Sequence, residues 1–355
     1  MTVCPILSAP LGPDAPIRCA KAGAQTMLRV NTTYHLAERP IKIKTQLTGS
    51  TQRGLIFTDL DGSLLDHHTY SAKPASDLFS ALDNLAIPVI PVTSKTAAEV
   101  IPFCDEHHNN HPFIVENGAA LYIPKNYFRE PPRHGVVKGD YICLENSRPR
   151  HTALEILARV GQKYEGEYDH FKQIYARDGA RGIARITGLS ESSSAAANCR
   201  EYSEPVIWYG SHSRKQDFIK DIQKQGGHAL QGGRFITLGD HCDKGMAIGQ
   251  LNQLYREHFA SQTVSLAIGD SANDVAMLER ADWALLISNP GKSLPQLQRS
   301  DQVLTGRGHG PAAWQHGVCQ WLTCLGLEPT ESTPKTISAS QNTTQPAHSG
   351  ITTNG

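Results

Sequence analysis

Two aspartates separated by one residue, Asp59 and Asp61, close the run Leu55-Ile-Phe-Thr58 and stand directly before Gly62. A short apolar and β-branched run of this kind predicts a buried strand. In open α/β sheets, ligands bind beyond the carboxyl ends of the strands. At extended spacing alternate side chains share a face, so both carboxylates are expected in one pocket, with Leu60 turned away. Like charges side by side repel, and hard Mg2+ is a natural counterweight because it prefers carboxylate oxygens. A lone Asp-x-Asp also fits a solvated turn, so its reading depends on the rest of the chain.

A second acidic pair ends a second apolar run. Val264-Ser-Leu-Ala-Ile268 predicts a buried strand and leads into Gly269-Asp270-Ser-Ala-Asn-Asp274. Asp270 and Asp274 are four apart, which places Asp274 one helical turn further on. Between the two acidic pairs lie candidate anion-binding groups. Thr93-Ser94-Lys95-Thr96 follows the strand-like Ile87–Val92 and precedes the helical Ala97–Phe103. A hydroxyl at that junction is an ordinary helix N-cap, and a helix N-terminus also offers free N–H groups to an anion. Lys244 opens a helix with an apolar stripe at Ala247, Leu251 and Leu254. A cation is mildly unfavourable at that end of the helix dipole, and an anion in front of it would account for the placement.

The elements that must position these groups alternate between strand and helix in two blocks. Pro74 lies near a helix start, with Leu78, Leu82 and Leu85 at helical spacing. Phe113–Ile123 predicts two strands around a Glu116-Asn117-Gly118 turn, Asn-Gly being a strong hairpin signal. Trp283–Ile287 predicts a further core strand. Over 125–238 the pattern is more polar and breaks the simple alternation, which predicts an inserted α+β cap between core segments 54–124 and 239–326. In that insert, Val206–Tyr209 reads as a strand and His228–Leu238 as a hairpin turning at Gly232-Gly233. Arg177, Arg181 and Arg185 are four apart, one cationic face on a helix. Such a face is commonly just solvated, although Arg also reads phosphate and carboxylate in bidentate fashion. Residues 1–50 and 328–355 show no clear period, and their composition predicts disordered extensions. His67-His68 reads as structural and His241-Cys-Asp243 as a loop, because adjacent side chains rarely face one ion.

Composition narrows the function classes. The 355 residues carry 34 basic and 34 acidic side chains, a formal net charge of zero. That argues against a nucleic-acid or membrane-surface footprint. No apolar run approaches the roughly 20 residues of a membrane helix, and the first residues lack the basic start and long apolar segment of a secretory signal. The eight cysteines are scattered with no Cys-x-x-Cys pair, as expected for free thiols in a reducing cytoplasm.

Taken together, Asp59-Leu-Asp61-Gly-Ser-Leu-Leu, the Thr93 hydroxyl, Lys244 and Gly269-Asp270-Ser-Ala-Asn-Asp274, in this order and each at a strand end or helix start, resemble the haloacid dehalogenase superfamily of phosphohydrolases. Ser63 departs from its usual Thr but keeps a hydroxyl. A narrower resemblance lies in Leu65-Asp-His-His-Thr-Tyr-Ser71, Thr93–Thr96, Val115–Ala120, Arg200-Glu-Tyr-Ser-Glu-Pro205 and Gly232–Phe235. These look like the Cof-like capped members that act on phosphorylated sugar-glycerates. The resemblance covers about residues 54–326. It implies a Rossmann-like parallel-sheet α/β core with an inserted α+β cap, a Mg2+ requirement, and hydrolysis of mannosyl-3-phosphoglycerate to mannosylglycerate, a compatible solute. Alternatives are glucosyl-3-phosphoglycerate, a broad-specificity sugar-phosphate phosphatase, a mutase on the same scaffold, or a silent regulatory fold. The last would be expected to have lost a charged group that is present here.

The roles carried over by that resemblance are specific. Asp59 is the nucleophile and Asp61 the general acid and base. Mg2+ is held by Asp59, the backbone carbonyl of Asp61 and Asp270, with Asp274 behind them. Thr93 and Lys244 stabilise the phosphoryl group. Ser94, Lys95, Arg181, Glu204 and Arg234 are candidates for contacting the rest of the substrate.

Overall fold

The computed structural model describes residues 32–36, 39–45, 52–231, 234–259, 262–290 and 293–331. In chain order the first strands are β1 (Thr32–Leu36), β2 (Arg39–Thr45) and β3 (Gln52–Thr58). After α1 (Phe79–Asn84) come β4 (Val89–Pro91), α2 (Ala97–Glu106), β5 (Phe113–Val115) and β6 (Ala120–Pro124). Then follow β7 (Val136–Lys138), β8 (Tyr141–Glu145), α3 (Arg150–Gly161), β9 (Tyr168–His170), α4 (Phe171–Thr187) and α5 (Glu191–Asn198). Next are β10 (Glu204–Trp208), α6 (His212–Lys224), β11 (His228–Gln231) and β12 (Ile236–Gly239). The chain continues through α7 (Lys244–Phe259), β13 (Gln262–Gly269), α8 (Val275–Arg280), β14 (Trp283–Ser288), β15 (Val303–His309), α9 (Gly310–Cys324) and β16 (Leu327–Glu331).

Five strands form the central sheet in the order β15-β14-β13-β3-β4, and every pairing is parallel. Parallel strands covered on both faces read as continuous apolar runs, and β3 does so because Leu55, Ile56 and Phe57 are all fully buried. Ile56 packs in one apolar cluster with Trp314, Trp321 and Leu285, whereas Leu55 and Phe57 pack in another with Ile248, Leu251 and Met277. This alternation is what the pleat dictates. Each such side chain contributes about 1.5–3 kcal/mol by burial. The two clusters fix where β3 and β13 end side by side, Thr58 opposite Ile268.

An antiparallel sheet, β5-β6-β8-β7, continues the core, joined to the end of β4 by the parallel bridge between Val92 and Ile114. Patterning predicts the cap from residue 125, but β7 and β8 pair back onto β6, so 136–145 belong with the core hairpin. The break in β-α alternation at 125 marks a change of sheet type, and the domain crossing follows it. The cap has its own sheet, β11-β12-β10-β9, with α3 and α6 packed over it around Tyr164 and Phe218. The expected Gly232-Gly233 turn lies outside the described residues.

Where composition predicts unstructured extensions, β1, β2 and β16 form a third antiparallel sheet, with β2 between the other two. The signal for β2 is the period-two alternation Ile41-Lys42-Ile43-Lys44. The remainder of 1–50 and of 328–355 lies outside the described residues. Among the described residues, no helix is long and apolar enough to cross a membrane, and no disulfide joins any of the six described cysteines.

Candidate active site

β3 ends at Thr58, so Asp59 and Asp61 stand in the loop beyond it, not on the strand. Strand alternation therefore stops short of them, and the two carboxylates meet different cations. Asp59 is 5% exposed and accepts from Lys244 Nζ at 2.5 Å. The Asp61 side chain is 41% exposed and pairs with Lys95 Nζ at 2.9 Å. Leu60, between the two aspartates, is fully buried in the core cluster of Ile56 and Trp314. Thr58 holds the strand end: its hydroxyl donates to the Asp59 carbonyl and accepts from the fully buried Trp314 indole on α9. Gly62 has φ +86°, and a Cβ there would come within 2.9 Å of both Asp270 Oδ2 and Asn289 Nδ2. The turn thus lays backbone against the second acidic segment, which only glycine permits.

Asp59, Asp270 and Asp274 offer carboxylate oxygens within 4.8 Å of one another, and all three are buried. Lys244, itself fully buried at the first turn of α7, bridges Asp59 and Asp274, at 2.7 Å from the latter. The other Asp274 oxygen accepts from the backbone N–H groups of Asp270 and Ser271 and from the Ser271 hydroxyl. Asp274 therefore sets the loop and the lysine, and spends both oxygens doing so. Asp270 accepts from Asn289 Nδ2 at 2.5 Å, just past the end of β14. Three carboxylates against one ammonium leave a deficit of positive charge. Burial pushes the Asp59 carboxyl well above its usual range; Lys244 pulls the other way, while Asp274 and Asp270 push it further up. Burial opposes the charge on Lys244, but Asp274 and Asp59 outweigh it and hold the ammonium above its ordinary value. An all-oxygen, acid-rich pocket of this kind could hold a hard divalent cation.

Thr93, two residues past the end of β4, is buried, and its hydroxyl accepts from Lys95 N–H. The N-cap of α2 is Thr96, which forms a reciprocal capping box with Glu99. Thr93 is thus spared the capping role that its position at a strand end suggests. Lys95 lies between Asp61 and Glu99, whose charges outweigh burial and raise its affinity for its proton.

The cap meets the core through Glu116, which has φ +47°, followed by Asn117 at +61°. Residues held in this region store strain, which neighbouring contacts must offset. The Glu116 carboxylate accepts from the N–H groups of Glu201, Tyr202 and Ser203 and from the Ser203 hydroxyl. Arg200 completes the junction, donating to the Ser94 carbonyl and the Ser203 hydroxyl at 9% side-chain exposure. On the far side, the Thr96 hydroxyl donates to the Ala196 carbonyl at the end of α5.

The other cap candidates are placed differently. Glu204 is fully buried, with its oxygens taken by Arg150, His170 and the Lys172 N–H, which leaves nothing for a ligand. Arg181 is 80% exposed and paired with Glu191. Arg177 and Arg185 pair with Asp178, and Arg177 also with Asp169, so all three arginines of the expected cationic face are paired within the cap. Arg234 donates to the Thr187 carbonyl. Among residues that motif reading misses, Asn289 has one local signal, a polar side chain just past a strand end. Trp314 has none, since its partner lies 256 residues away.

No family model matches the chain. A glucosyl-3-phosphoglycerate/mannosyl-3-phosphoglycerate phosphatase from Methanococcoides burtonii is 35% identical over 272 residues, 74% of this chain and 95% of that protein. One of the same name from Persephonella marina is 32% identical over 278 residues, 76% of this chain and 97% of the relative. A mannosyl-3-phosphoglycerate phosphatase from Pyrococcus furiosus is 32% identical over 236 residues, covering 66% and 91%. Among solved structures, a HAD superfamily phosphatase from Bacteroides thetaiotaomicron superposes with TM-score 0.55 at 14% identity, covering 80% of this chain and 99% of that one. A HAD subclass IIB sugar phosphatase gives 0.51 at 13% identity, covering 78% and 99%. At these identities the structures bear on the fold alone.

Proposed function

Because the chain belongs to the mannosyl-3-phosphoglycerate phosphatases, phosphoric monoester hydrolases of the haloacid dehalogenase superfamily, we propose that its substrate is mannosyl-3-phosphoglycerate and its products are mannosylglycerate and phosphate. Glucosyl-3-phosphoglycerate is the second substrate to test, since two of the relatives are named for both. The reaction is proposed to need Mg2+ and to pass through an aspartyl-phosphate. One observation carries the reaction type: Asp59 is buried, held by Lys244, and clustered with Asp270 and Asp274.

The chemistry follows from what each residue can do. An Asp59 oxygen attacks phosphorus, and the bond from phosphorus to the glycerate oxygen breaks. Asp61, on the open side of the loop, gives its proton to the leaving alkoxide. It then takes a proton from the water that attacks phosphorus as the bond to Asp59 breaks. Lys244 offsets charge on the nucleophile and on the transferring group, an electrostatic role suited to phosphoryl transfer. Thr93 donates its hydroxyl proton to a phosphoryl oxygen. Lys95 holds Asp61 in place. Asp59, Asp270 and the Asp61 carbonyl would hold Mg2+, whose charge would draw the phosphoryl oxygens toward the nucleophile. Asn289 and Asp274 orient these groups. A cytoplasmic location is part of the same proposal.

The test is phosphate release by purified protein from mannosyl- and glucosyl-3-phosphoglycerate and from simple hexose phosphates, with and without Mg2+. Turnover of the glycosyl-glycerates with kcat/KM well above that of hexose phosphates, and dependent on Mg2+, is expected. Equal turnover of every phosphomonoester would instead favour a broad sugar-phosphate phosphatase.

A further inference from the structure

Tyr70 is an exposed large side chain, 45% accessible, in the loop that follows the two aspartates. Its backbone sits at φ +56°, a conformation that a bulky residue adopts only when its surroundings impose it. Here they do. The Asp66 carboxylate accepts from the N–H groups of His68 and Thr69 and from the Thr69 hydroxyl. The Asp66 carbonyl accepts from Tyr70 N–H, and Asp66 N–H donates to the Ser71 carbonyl. The loop is closed on itself and holds the ring outward.

One face of the ring lies against the cation that pairs with Asp61. Lys95 Nζ lies 5.6 Å from its centroid, and the same ammonium is bound to Asp61. The order outward from the cluster is therefore Asp59, Asp61, Lys95 and Tyr70. The inner members suit a charged group. Lys95 takes one face of the ring; the other, negative at its centre, suits neither phosphate nor carboxylate, but it does suit the weakly polar C–H face of a sugar ring. In a glycosyl-3-phosphoglycerate the sugar is attached at the carbon next to the phosphorylated one, so it must lie close to Asp61.

We propose that Tyr70, presented by the closed Asp66–Ser71 loop beside the Asp61–Lys95 pair, is a specificity-determining residue that stacks on the glycosyl ring of the substrate. This rests on the proposed glycosyl-3-phosphoglycerate phosphatase activity.

The experiment compares KM for mannosyl-3-phosphoglycerate with the competitive inhibition constant of 3-phosphoglycerate, which carries everything but the sugar. Wild type is set against Tyr70→Asn, which tolerates the left-handed backbone, and Tyr70→Phe, which keeps the ring. In Tyr70→Asn, the ratio of KM to the 3-phosphoglycerate constant should rise roughly three- to tenfold. Tyr70→Phe should keep the wild-type ratio. An unchanged ratio in Tyr70→Asn, or an equal rise in Tyr70→Phe, overturns the stacking role. Failure of wild type to hydrolyse any glycosyl-3-phosphoglycerate defeats the parent reading instead, and that result is visible before any variant is made.

Discussion

Asp270 sits between two neighbours that treat it differently: Asp274 receives its N–H, and Asn289 donates to its carboxylate. Groups that orient a ligand commonly change metal affinity 10–100-fold when removed. Asn289→Ala should therefore raise the Mg2+ concentration needed for half-maximal activity by about 10-fold or more, with a smaller change in kcat at saturating metal. A metal titration of the variant checks this, and an unshifted midpoint would show that Asn289 does not position the ligand. Lys244→Met should do more, because it leaves Asp59 and Asp274 buried without their cation; breaking a buried pair costs about 3–5 kcal/mol. Chemical denaturation would read that loss. The Asp59, Asp270 and Lys244 cluster was legible in the sequence because each residue sits in a local motif whose chemistry needs it. Trp314 was not, because Thr58, which it holds, lies 256 residues away, and Asn289 offered only a polar side chain past a strand end. The split of Asp59 and Asp61 between two lysines was hidden as well, since it depends on the strand stopping one residue before the pair.

At the scale of elements, the cap depends on two buried carboxylates that hold backbone and cations rather than substrate. Glu204 joins β10 to α3 through Arg150 and to β9 through His170. Burial alone would raise its proton affinity, but His170 and Arg150 outweigh it and leave the folded value below the ordinary 4.5. Folded Glu204 thus binds a proton less readily than unfolded Glu204. Its contribution to stability is whole above about 4.5 and is lost as pH falls through the folded value. Thermal melts of wild type should show that acid-side loss, and Glu204→Gln should lack this component while being less stable by about 2–4 kcal/mol near neutrality. Glu116 is the counterpart at the cap–core junction. Glu116→Gln keeps a single acceptor oxygen where two accept now, so amide exchange at 201–203 should quicken. Unchanged protection there would contradict the role of the Glu116 carboxylate in holding the 201–203 backbone. The hairpin around Glu116 was readable from Asn-Gly, but its use as an acceptor of cap N–H groups was not, because the donors lie 85 to 87 residues away. The return of β7 and β8 to β6 was hidden for a related reason: strands that return to a core hairpin look no different in sequence from strands of a new domain. Glu204 and Arg181 had the right chemistry for ligand binding, but their partners are intramolecular.

Across the whole molecule, two chain segments more than 200 residues apart end side by side because β3 and β13 are parallel neighbours, and their acids meet only there. If the cluster holds Mg2+ in the folded chain alone, added metal must stabilise the fold. Mg2+ at about 100 times its dissociation constant would contribute about 2.7 kcal/mol. The melting temperature should then rise by several degrees with Mg2+, and EDTA should remove both the rise and the activity. Asp59→Asn should retain the fold and release no phosphate. The most direct measurement of the central claim is to quench the wild-type protein during turnover of mannosyl-3-phosphoglycerate with Mg2+, reduce with borohydride, and map the product by peptide mass spectrometry. An aspartyl-phosphate at residue 59 would be read as homoserine at that position. Phosphate release with residue 59 unmodified, or with the mark on another carboxylate, would contradict the account.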